Sequence, residues 1–352
     1  MKSRVNKLLT SPKNHTWLLC ALAVLLPFEY IPSYEVYGLR LRLSLFIGSA
    51  IIICAGYIFI KNPKIIKFRL IECLLIGWFS WIILRSVFVD DYRQAIQIIF
   101  PMVFYGLLAF SISIIMKRAY LKTVIIGLMV GAGLAVVFGF YQFAANWLGA
   151  PEWLTGLRPQ YSWQSFGFPR LQSTTLEPLY FSAYLLLPVA VLTSLIISIK
   201  TYRRPIFISL LLLMIIADVL TLSRGGLAAM LLQFIVLGGF YFRRLSKRSI
   251  VYVFASLVFV GLVVFGLIST TARQGIDNDV TYGQKGVATF TAHLKNFNFF
   301  ASNSNKSNDD SVGQRDSART QAKQTLTDHP SVLFFGAGAA SVKKSDTTWQ
   351  LQ

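Results

Sequence analysis

Charged residues are scarce in this chain of 352 residues, and their scarcity excludes a soluble protein. Only 14% of the residues are charged, whereas 55% are hydrophobic and the mean hydropathy is +0.57. Soluble domains carry about 25% charged and about 45–50% apolar residues. The charge is therefore too sparse to cover the surface of the roughly two soluble domains that this length would otherwise suggest. The same apolar content excludes intrinsic disorder, so a polytopic membrane protein remains.

Cysteine and histidine are also rare, and the motifs that use them are missing. The three cysteines, Cys20, Cys54 and Cys73, lie far apart in apolar stretches, which excludes a disulfide scaffold and is typical of small packing residues. The sequence contains no Cys-x-x-Cys, no His-Glu-x-x-His, no Walker motif and no Gly-x-Gly-x-x-Gly after a strand. We therefore predict neither a protein-held metal nor a cofactor.

Acidic residues are outnumbered by basic ones, 15 to 34, so that the net charge is +19. In a soluble protein this excess would suggest nucleic-acid binding. Here we expect no nucleic acid, because the basic residues follow a membrane topology. Nine apolar stretches approach the roughly 20 residues that span a bilayer. They are about 17–32, 43–60, 70–88, 94–115, 121–147, 178–199, 205–222, 224–242 and 250–269.

The distribution of Lys and Arg between the loops predicts the orientation of these spans. The N-terminal segment and every second loop together hold 18 basic residues, and the loops between them hold 7. Basic residues collect on the cytoplasmic side, so the N-terminus is predicted to be inside. We therefore divide the chain into a transmembrane domain, 1–269, and an exterior loop or tail, 270–352. The exterior segment 148–177 is rich in aromatic residues and is expected to lie at the membrane interface.

The sharpest local motif lies where the seventh span turns into the eighth, at Leu222-Ser-Arg-Gly-Gly226. Arg224 is predicted at the exterior face, against the general bias of basic residues. Gly225 and Gly226 are expected to permit a tight turn, and the next helix presents its positive end there. The motif predicts an anion site, although a snorkelling arginine is the simpler alternative. Asp218, six residues earlier, is an intramembrane carboxylate that either binds substrate or makes an interhelical hydrogen bond.

Two further groups of residues are candidates for substrate contact. Glu177 precedes Pro178 at the predicted start of a span, where it either caps the helix or acts as an outward-facing carboxylate that accepts a proton; Arg170 lies just upstream. In the exterior tail, Arg315, Arg319 and Lys323 recur every four residues, which is one stripe of a helix. That stripe is either a solvated basic face or a surface for an anionic partner.

At these residues the sequence resembles the O-antigen ligase/polymerase family. The landmarks occur in order: Glu177-Pro-Leu-Tyr-Phe before a span, Ser223-Arg-Gly-Gly between two spans, Gly313-Gln-Arg opening a loop helix, and His329-Pro leading to Gly336-Ala-Gly. The resemblance implies an all-α GT-C-like helical bundle in the bacterial inner membrane, with a large periplasmic loop. It implies transfer of a glycan from an undecaprenyl-diphosphate carrier to an acceptor hydroxyl, without metal. Arg224 would then contact the diphosphate, with Arg315 as a second phosphate ligand.

The chain also departs from this family pattern. The ligase branch carries a loop histidine beyond the Gly-x-Gly turn, and residues 339–352 contain none. We therefore expect a fragment, a polymerase branch with a different base, or an inactive chain, with Glu177 as the substitute base. Polymerase, lipid ligase and protein oligosaccharyltransferase stay open at this point. So do two other classes: a flippase or transporter of lipid-linked oligosaccharide, and a non-catalytic component of polysaccharide assembly.

Overall fold

The structure, a computed structural model, describes most of the first two thirds of the chain. The described residues are 11–30, 33–36, 39–62, 70–86, 92–162, 169–198 and 204–241, together with 320, 323, 324 and 327. The long helices are α1 Pro12–Leu25, α2 Leu43–Lys61, α3 Leu70–Ser86, α4 Tyr92–Ile115, α5 Leu121–Trp147, α7 Pro178–Ser198, α8 Arg204–Leu220 and α9 Arg224–Tyr241. The short helix α6 covers Glu152–Thr155, and two 3-10 turns cover Arg118–Tyr120 and Pro159–Tyr161.

Eight of the nine predicted spans overlap a long helix of the described residues, and the ninth, at about 250–269, lies outside them. Within the described ranges, three helical segments are both long and apolar enough to cross a membrane: Leu43–Lys61, Arg118–Trp147 and Pro178–Ile197. Ile99–Ile115, Pro205–Leu220 and Gly225–Tyr241 are apolar but shorter. The helical, membrane-protein character is thus supported, whereas the number of spans, their orientation and the large exterior loop stay predictions.

A short β-hairpin departs from the purely helical expectation. Strand β1, Ser33–Val36, pairs antiparallel with β2, Leu39–Arg42, in a register that places Glu35 opposite Arg40. Polar and apolar residues alternate along both strands, and this matches the two-residue period of a strand. The alternation is present in the sequence, but the first predicted span, 17–32, covers the helix before the hairpin. That helix instead ends at Leu25.

The chain forms two compact units, and the described residues of the candidate site all lie in one of them. One unit contains residues 51–116, with α3 and α4. The other contains residues 11–50 and 117–300, with α1, the hairpin and α5–α9. Its core is built from buried apolar residues of α5, α7 and α8. They include Ala132, Ala135, Val136, Phe181, Leu185, Val189, Leu192, Met214 and Ala217.

Close packing of α1 on α5 fixes one side of this unit. Gly127 and Gly131 of α5 face the backbone of α1, where an added Cβ would lie 2.7 Å from the carbonyl oxygen of Cys20 and 2.5 Å from that of Val24. Only residues without a side chain allow two helices to approach this closely. The end of α1 is thereby held beside the loop that leads into α7.

Candidate functional site

The turn between α8 and α9 consists of three residues and is closed by their own side chains. The Thr221 hydroxyl donates to the carbonyl oxygen of Asp218 (2.6 Å) and accepts the N–H of Ser223 (3.2 Å). Leu222 takes the left-handed backbone conformation, with φ at 51°, which an L-residue adopts at a cost of about 1–2 kcal/mol. Ser223 Oγ then accepts the N–H of Gly226 (3.2 Å). Ser223 is thus the N-cap of α9, a role for which serine is a preferred residue.

Arg224 is the first helical residue of α9, as the sequence suggested. Its backbone therefore lies where the helix carries partial positive charge. The N–H of Gly226, two residues later, is already bound by Ser223 and cannot also serve an anion. The role of Arg224 as a diphosphate ligand stays a prediction.

The prediction that Gly225 and Gly226 form the tight turn is wrong. Positive φ occurs at neither Gly225 nor Gly226, since the described glycines with positive φ are Gly149 and Gly156. The left-handed residue that makes the turn is Leu222. Gly226 instead allows α9 to pack closely against α7: an added Cβ would overlap the Ser182 hydroxyl and lie 2.5 Å from Ser182 Cβ.

Asp218 lies in the last turn of α8 and is completely buried. Its Oδ1 accepts a short hydrogen bond from the hydroxyl of Ser182 on α7. Its Oδ2 has no hydrogen-bond partner among the described residues. Of the two alternatives raised by the sequence, the structure contains the interhelical hydrogen bond. Direct contact of Asp218 with substrate stays a prediction.

The segment before α7 crosses the end of α8, and Arg170 makes the contact. The backbone N–H of Leu171 donates to the carbonyl of Leu220 (3.0 Å). The Arg170 guanidinium donates to the carbonyls of Thr221 (3.0 Å) and Leu222 (3.4 Å). A cation at a helix C-terminus also interacts favourably with the helix dipole. Arg170 therefore holds the turn that precedes Arg224, while its predicted contact with substrate is untested.

Residues 172–175 form a buried polar loop, and Gln142 of α5 holds it in place. The Gln142 side chain is fully buried. Its oxygen accepts the N–H of Ser173 (2.8 Å), and its amide donates to the carbonyl of Thr155 (3.1 Å). Thr174 of the loop donates to the carbonyl of Pro27 (2.7 Å), at the end of α1. The sequence reasoning missed Gln142, although a glutamine within a long apolar helix is the available signal.

Glu177 lies at the end of this loop and is partly exposed. Its backbone carbonyl accepts the N–H groups of Tyr180 (3.0 Å) and Phe181 (3.2 Å), so Glu177 occupies the N-terminal boundary of α7. Thr175, two residues earlier, donates its hydroxyl to the carbonyls of Gln172 and Glu177. The Glu177 side chain is partly exposed at the end of the loop. The function of its carboxylate as a base stays a prediction.

Charged groups gather around the phenol of Tyr161. The pKa of Tyr161 is raised overall, chiefly by burial and also by the negative charge of Glu177. A hydrogen bond with Gln160 and the positive charges of Arg170 and Arg158 lower this pKa in part. The Arg170 guanidinium lies over the Tyr161 ring, 5.5 Å from its centroid. Arg158 was not singled out in the sequence. Arg158, in the loop after α6, therefore interacts electrostatically with the same phenol as Arg170 and Glu177, the two residues that the sequence predicts as site residues.

Other predicted site residues cannot be placed. Arg315 and Arg319 lie outside the described residues, as do Gly313, His329 and Gly336. Within the described part of the chain, no three His, Cys, Asp or Glu side chains lie together as a metal site would require.

The apolar helices indicate a membrane protein, and comparison with known families is more specific. The model of the O-antigen ligase family matches residues 209–351, from within α8 onward. This match supports assignment of the chain to the O-antigen ligase/polymerase family, as the landmarks predicted. It includes Asp218, Arg224, Arg315 and Arg319 and leaves out Arg170 and Glu177. No curated protein and no solved structure matches the chain.

Proposed function

We propose that this protein transfers a glycan from an undecaprenyl-diphosphate-linked donor to an acceptor hydroxyl at the periplasmic face of the bacterial inner membrane. The reaction would serve polymerisation or ligation of a surface polysaccharide. The family match supports glycan transfer in polysaccharide assembly as the general activity. The observation that carries the finer proposal is the place of Arg224: it lies inside the matched region and begins α9 directly after a capped turn.

The proposed chemistry uses Arg224 to stabilise the leaving group. Breaking the bond between a sugar and a diphosphate develops negative charge on the diphosphate, and a fixed cation in a site of low dielectric stabilises that charge. The planar guanidinium suits phosphate oxygens better than an ammonium group does. The amino end of α9 adds favourable partial charge. Arg315 and Arg319, in the proposed periplasmic segment 270–352, would supply further contacts to the phosphates, so the proposal needs no metal ion.

The acceptor hydroxyl needs a base, and Glu177 is the proposed one. It precedes α7, and Ser182 of that helix contacts both Asp218 of α8 and Gly226 of α9. The Glu177 carboxylate is partly exposed and interacts electrostatically with Tyr161, whose ring lies under the Arg170 guanidinium. A carboxylate in this position can accept a proton while the glycan is transferred.

The test replaces Arg224 with alanine and with lysine in the full-length protein. Transfer is measured in proteoliposomes with a lipid-linked donor, and glycan chain length is measured in cells. Arg224→Ala is expected to lower the transfer rate about 100-fold to 1,000-fold, as loss of one fixed donor to a developing anion does. Arg118→Ala, which removes an exposed arginine in the 3-10 turn before α5, is the matched control. Unchanged chain length with Arg224→Ala, at equal protein in the membrane, would contradict the proposal.

Asp218 supports a second candidate, a flippase or transporter of lipid-linked oligosaccharide. Its buried carboxylate has one oxygen without a partner among the described residues, and such intramembrane groups often mark transport pathways. Asp218→Asn separates the two functions. Loss of labelled-lipid translocation in vesicles, with glycan transfer retained in detergent, would favour the transporter.

A further inference from the structure

Arg158 is held in a defined position by an aromatic ring and by the buried loop. Its guanidinium lies over the ring of Tyr30, 5.4 Å from the centroid. Its backbone N–H donates to the side-chain oxygen of Gln172 (3.2 Å), and the N–H of Tyr30 donates to the carbonyl of Thr174 (2.8 Å). Both members of the stacked pair are therefore tied to residues 172–175, which are themselves buried.

The guanidinium of Arg158 has no anionic partner within the described chain. Glu29, next to Tyr30 in sequence, pairs instead with Arg42 (3.6 Å). The contact with the ring of Tyr30 is electrostatic, and among the described residues no oxygen accepts a hydrogen bond from the guanidinium N–H groups. A partly buried arginine that is held in place but has free donors is well arranged to bind an oxyanion, since charge-assisted hydrogen bonds to phosphate are among the strong ones.

Arg158 and the start of α9 lie at the same end of this unit. Arg158 and Arg170 both interact electrostatically with the phenol of Tyr161. Arg170 also donates hydrogen bonds to the carbonyls of residues 221 and 222. Arg224 follows two residues later. Arg158 therefore lies at the same end of this unit as Arg224, although 66 residues separate them in sequence.

We propose that Arg158, stacked on Tyr30, is a phosphate-binding residue at this end of the protein. The phosphate comes from one of two sources: the diphosphate of the lipid-linked donor, in which case the inference rests on the proposed function, or the headgroup of a bilayer phospholipid. The first source makes Arg158 a substrate ligand. The second makes it an anchor that fixes the loop after α6 at the membrane surface.

The experiment measures binding of inorganic diphosphate to the purified full-length protein in a neutral detergent, by ³¹P NMR. The wild type is expected to bind, and Arg158→Ala to bind about tenfold to 100-fold more weakly, because one charge-assisted contact is lost. Arg158→Lys keeps the charge but not the planar fork, so its affinity should fall between the two. Tyr30→Leu should weaken binding through loss of the stacked position. Arg118→Ala is the control and should bind as the wild type does.

A second measurement separates the sources. In nanodiscs, added phosphatidylglycerol should displace diphosphate from the wild type if the site takes phospholipid headgroups, and should leave binding unchanged if the site is selective for diphosphate. Absence of diphosphate binding in the wild type, or equal affinity in the Arg158→Ala variant, overturns the inference. Because this readout needs no glycan transfer, Arg224→Ala can fail its own test while the Arg158 result stands, and the converse also holds.

Discussion

Replacing Gly226 with alanine perturbs the closest helix contact in the candidate site. An added Cβ would overlap the Ser182 hydroxyl and lie 2.5 Å from Ser182 Cβ, whereas carbon atoms pack best at about 3.5–4.0 Å. Helix α9 would have to move away from α7 by about 1 Å. Overpacking of this kind typically costs about 1–3 kcal/mol. We therefore expect Gly226→Ala to lower the free energy of unfolding even though alanine favours a helix.

The neighbouring glycine supplies the matched control. A Cβ on Gly225 would meet only Leu179 Cδ1, at an ordinary 3.6 Å. Alanine gains up to about 1 kcal/mol over glycine within a helix, and this gain is common to both positions. Gly225→Ala should therefore be neutral or stabilising, and the two variants should differ by about 1–3 kcal/mol. The free energy of unfolding is measured by denaturant titration in detergent micelles.

A change at Ser182 tests whether the clash is the cause. Ser182→Gly removes the two atoms that the new Cβ would overlap and leaves Ser223 Oγ, at 3.2 Å, as its nearest neighbour. The change also removes the hydrogen bond to Asp218. The double variant is therefore compared with Ser182→Gly alone. In that background Gly226→Ala should cost little, which gives a coupling free energy of about 1–3 kcal/mol between the two sites. If Gly226→Ala costs the same in both backgrounds, or no more than Gly225→Ala does, the reasoning is refuted.

Two further predictions concern the loop beside this contact. Gln142→Leu should lower the free energy of unfolding by about 1–3 kcal/mol or more, because it leaves the buried N–H of Ser173 and carbonyl of Thr155 without their partner; Tyr141→Phe, which removes a longer and exposed hydrogen bond, should change it little. The pKa of Tyr161 is raised by burial, so its phenol should ionise above the usual value of about 10. The difference in tyrosinate absorbance between wild type and Tyr161→Phe should therefore develop only above about pH 10, and the stability held by the protonated phenol should be lost as the pH rises through that raised pKa. A difference in absorbance that develops below this pH would contradict the second prediction. Equal changes in the free energy of unfolding for Gln142→Leu and Tyr141→Phe would contradict the first.

The helices could be predicted from sequence because one physical signal dominates them. A run of apolar residues must either be buried or face lipid, and its length then indicates a helix. A turn around Ser223 is predicted for the same reason, since two apolar runs meet there, but the prediction assigns it to Gly225 and Gly226 instead of residues 221–223. The hairpin at 33–42 was missed because its alternating pattern covers only four residues on each side. A signal that short is weak beside a long apolar run.

The site was less predictable, because its contacts join residues that are distant in sequence. Asp218 was recognised as an unusual intramembrane carboxylate, but its partner, Ser182, lies 36 residues earlier. A serine in an apolar helix gives no indication of which helix it faces. Gln142 and Ser173 are 31 residues apart and face the same difficulty. Local patterns identify polar residues that require partners, and only the packing of the helices determines which partners they find.

The Leu222-Ser-Arg-Gly-Gly226 segment shows that one motif can contain separate functions. Leu222 makes the turn, Ser223 caps α9, and Gly226 permits the approach to Ser182. None of these three roles requires an anion, although all of them determine where α9 begins. A change at Gly226 that displaces α9 also displaces Arg224, so its effect on activity should accompany a loss of stability. The proposed role of Arg224 is charge stabilisation, so its replacement should lower activity while the free energy of unfolding is nearly unchanged. Measuring activity and the free energy of unfolding for the Gly226 and Arg224 variants thus separates a residue that binds substrate from a residue that positions the binding residue.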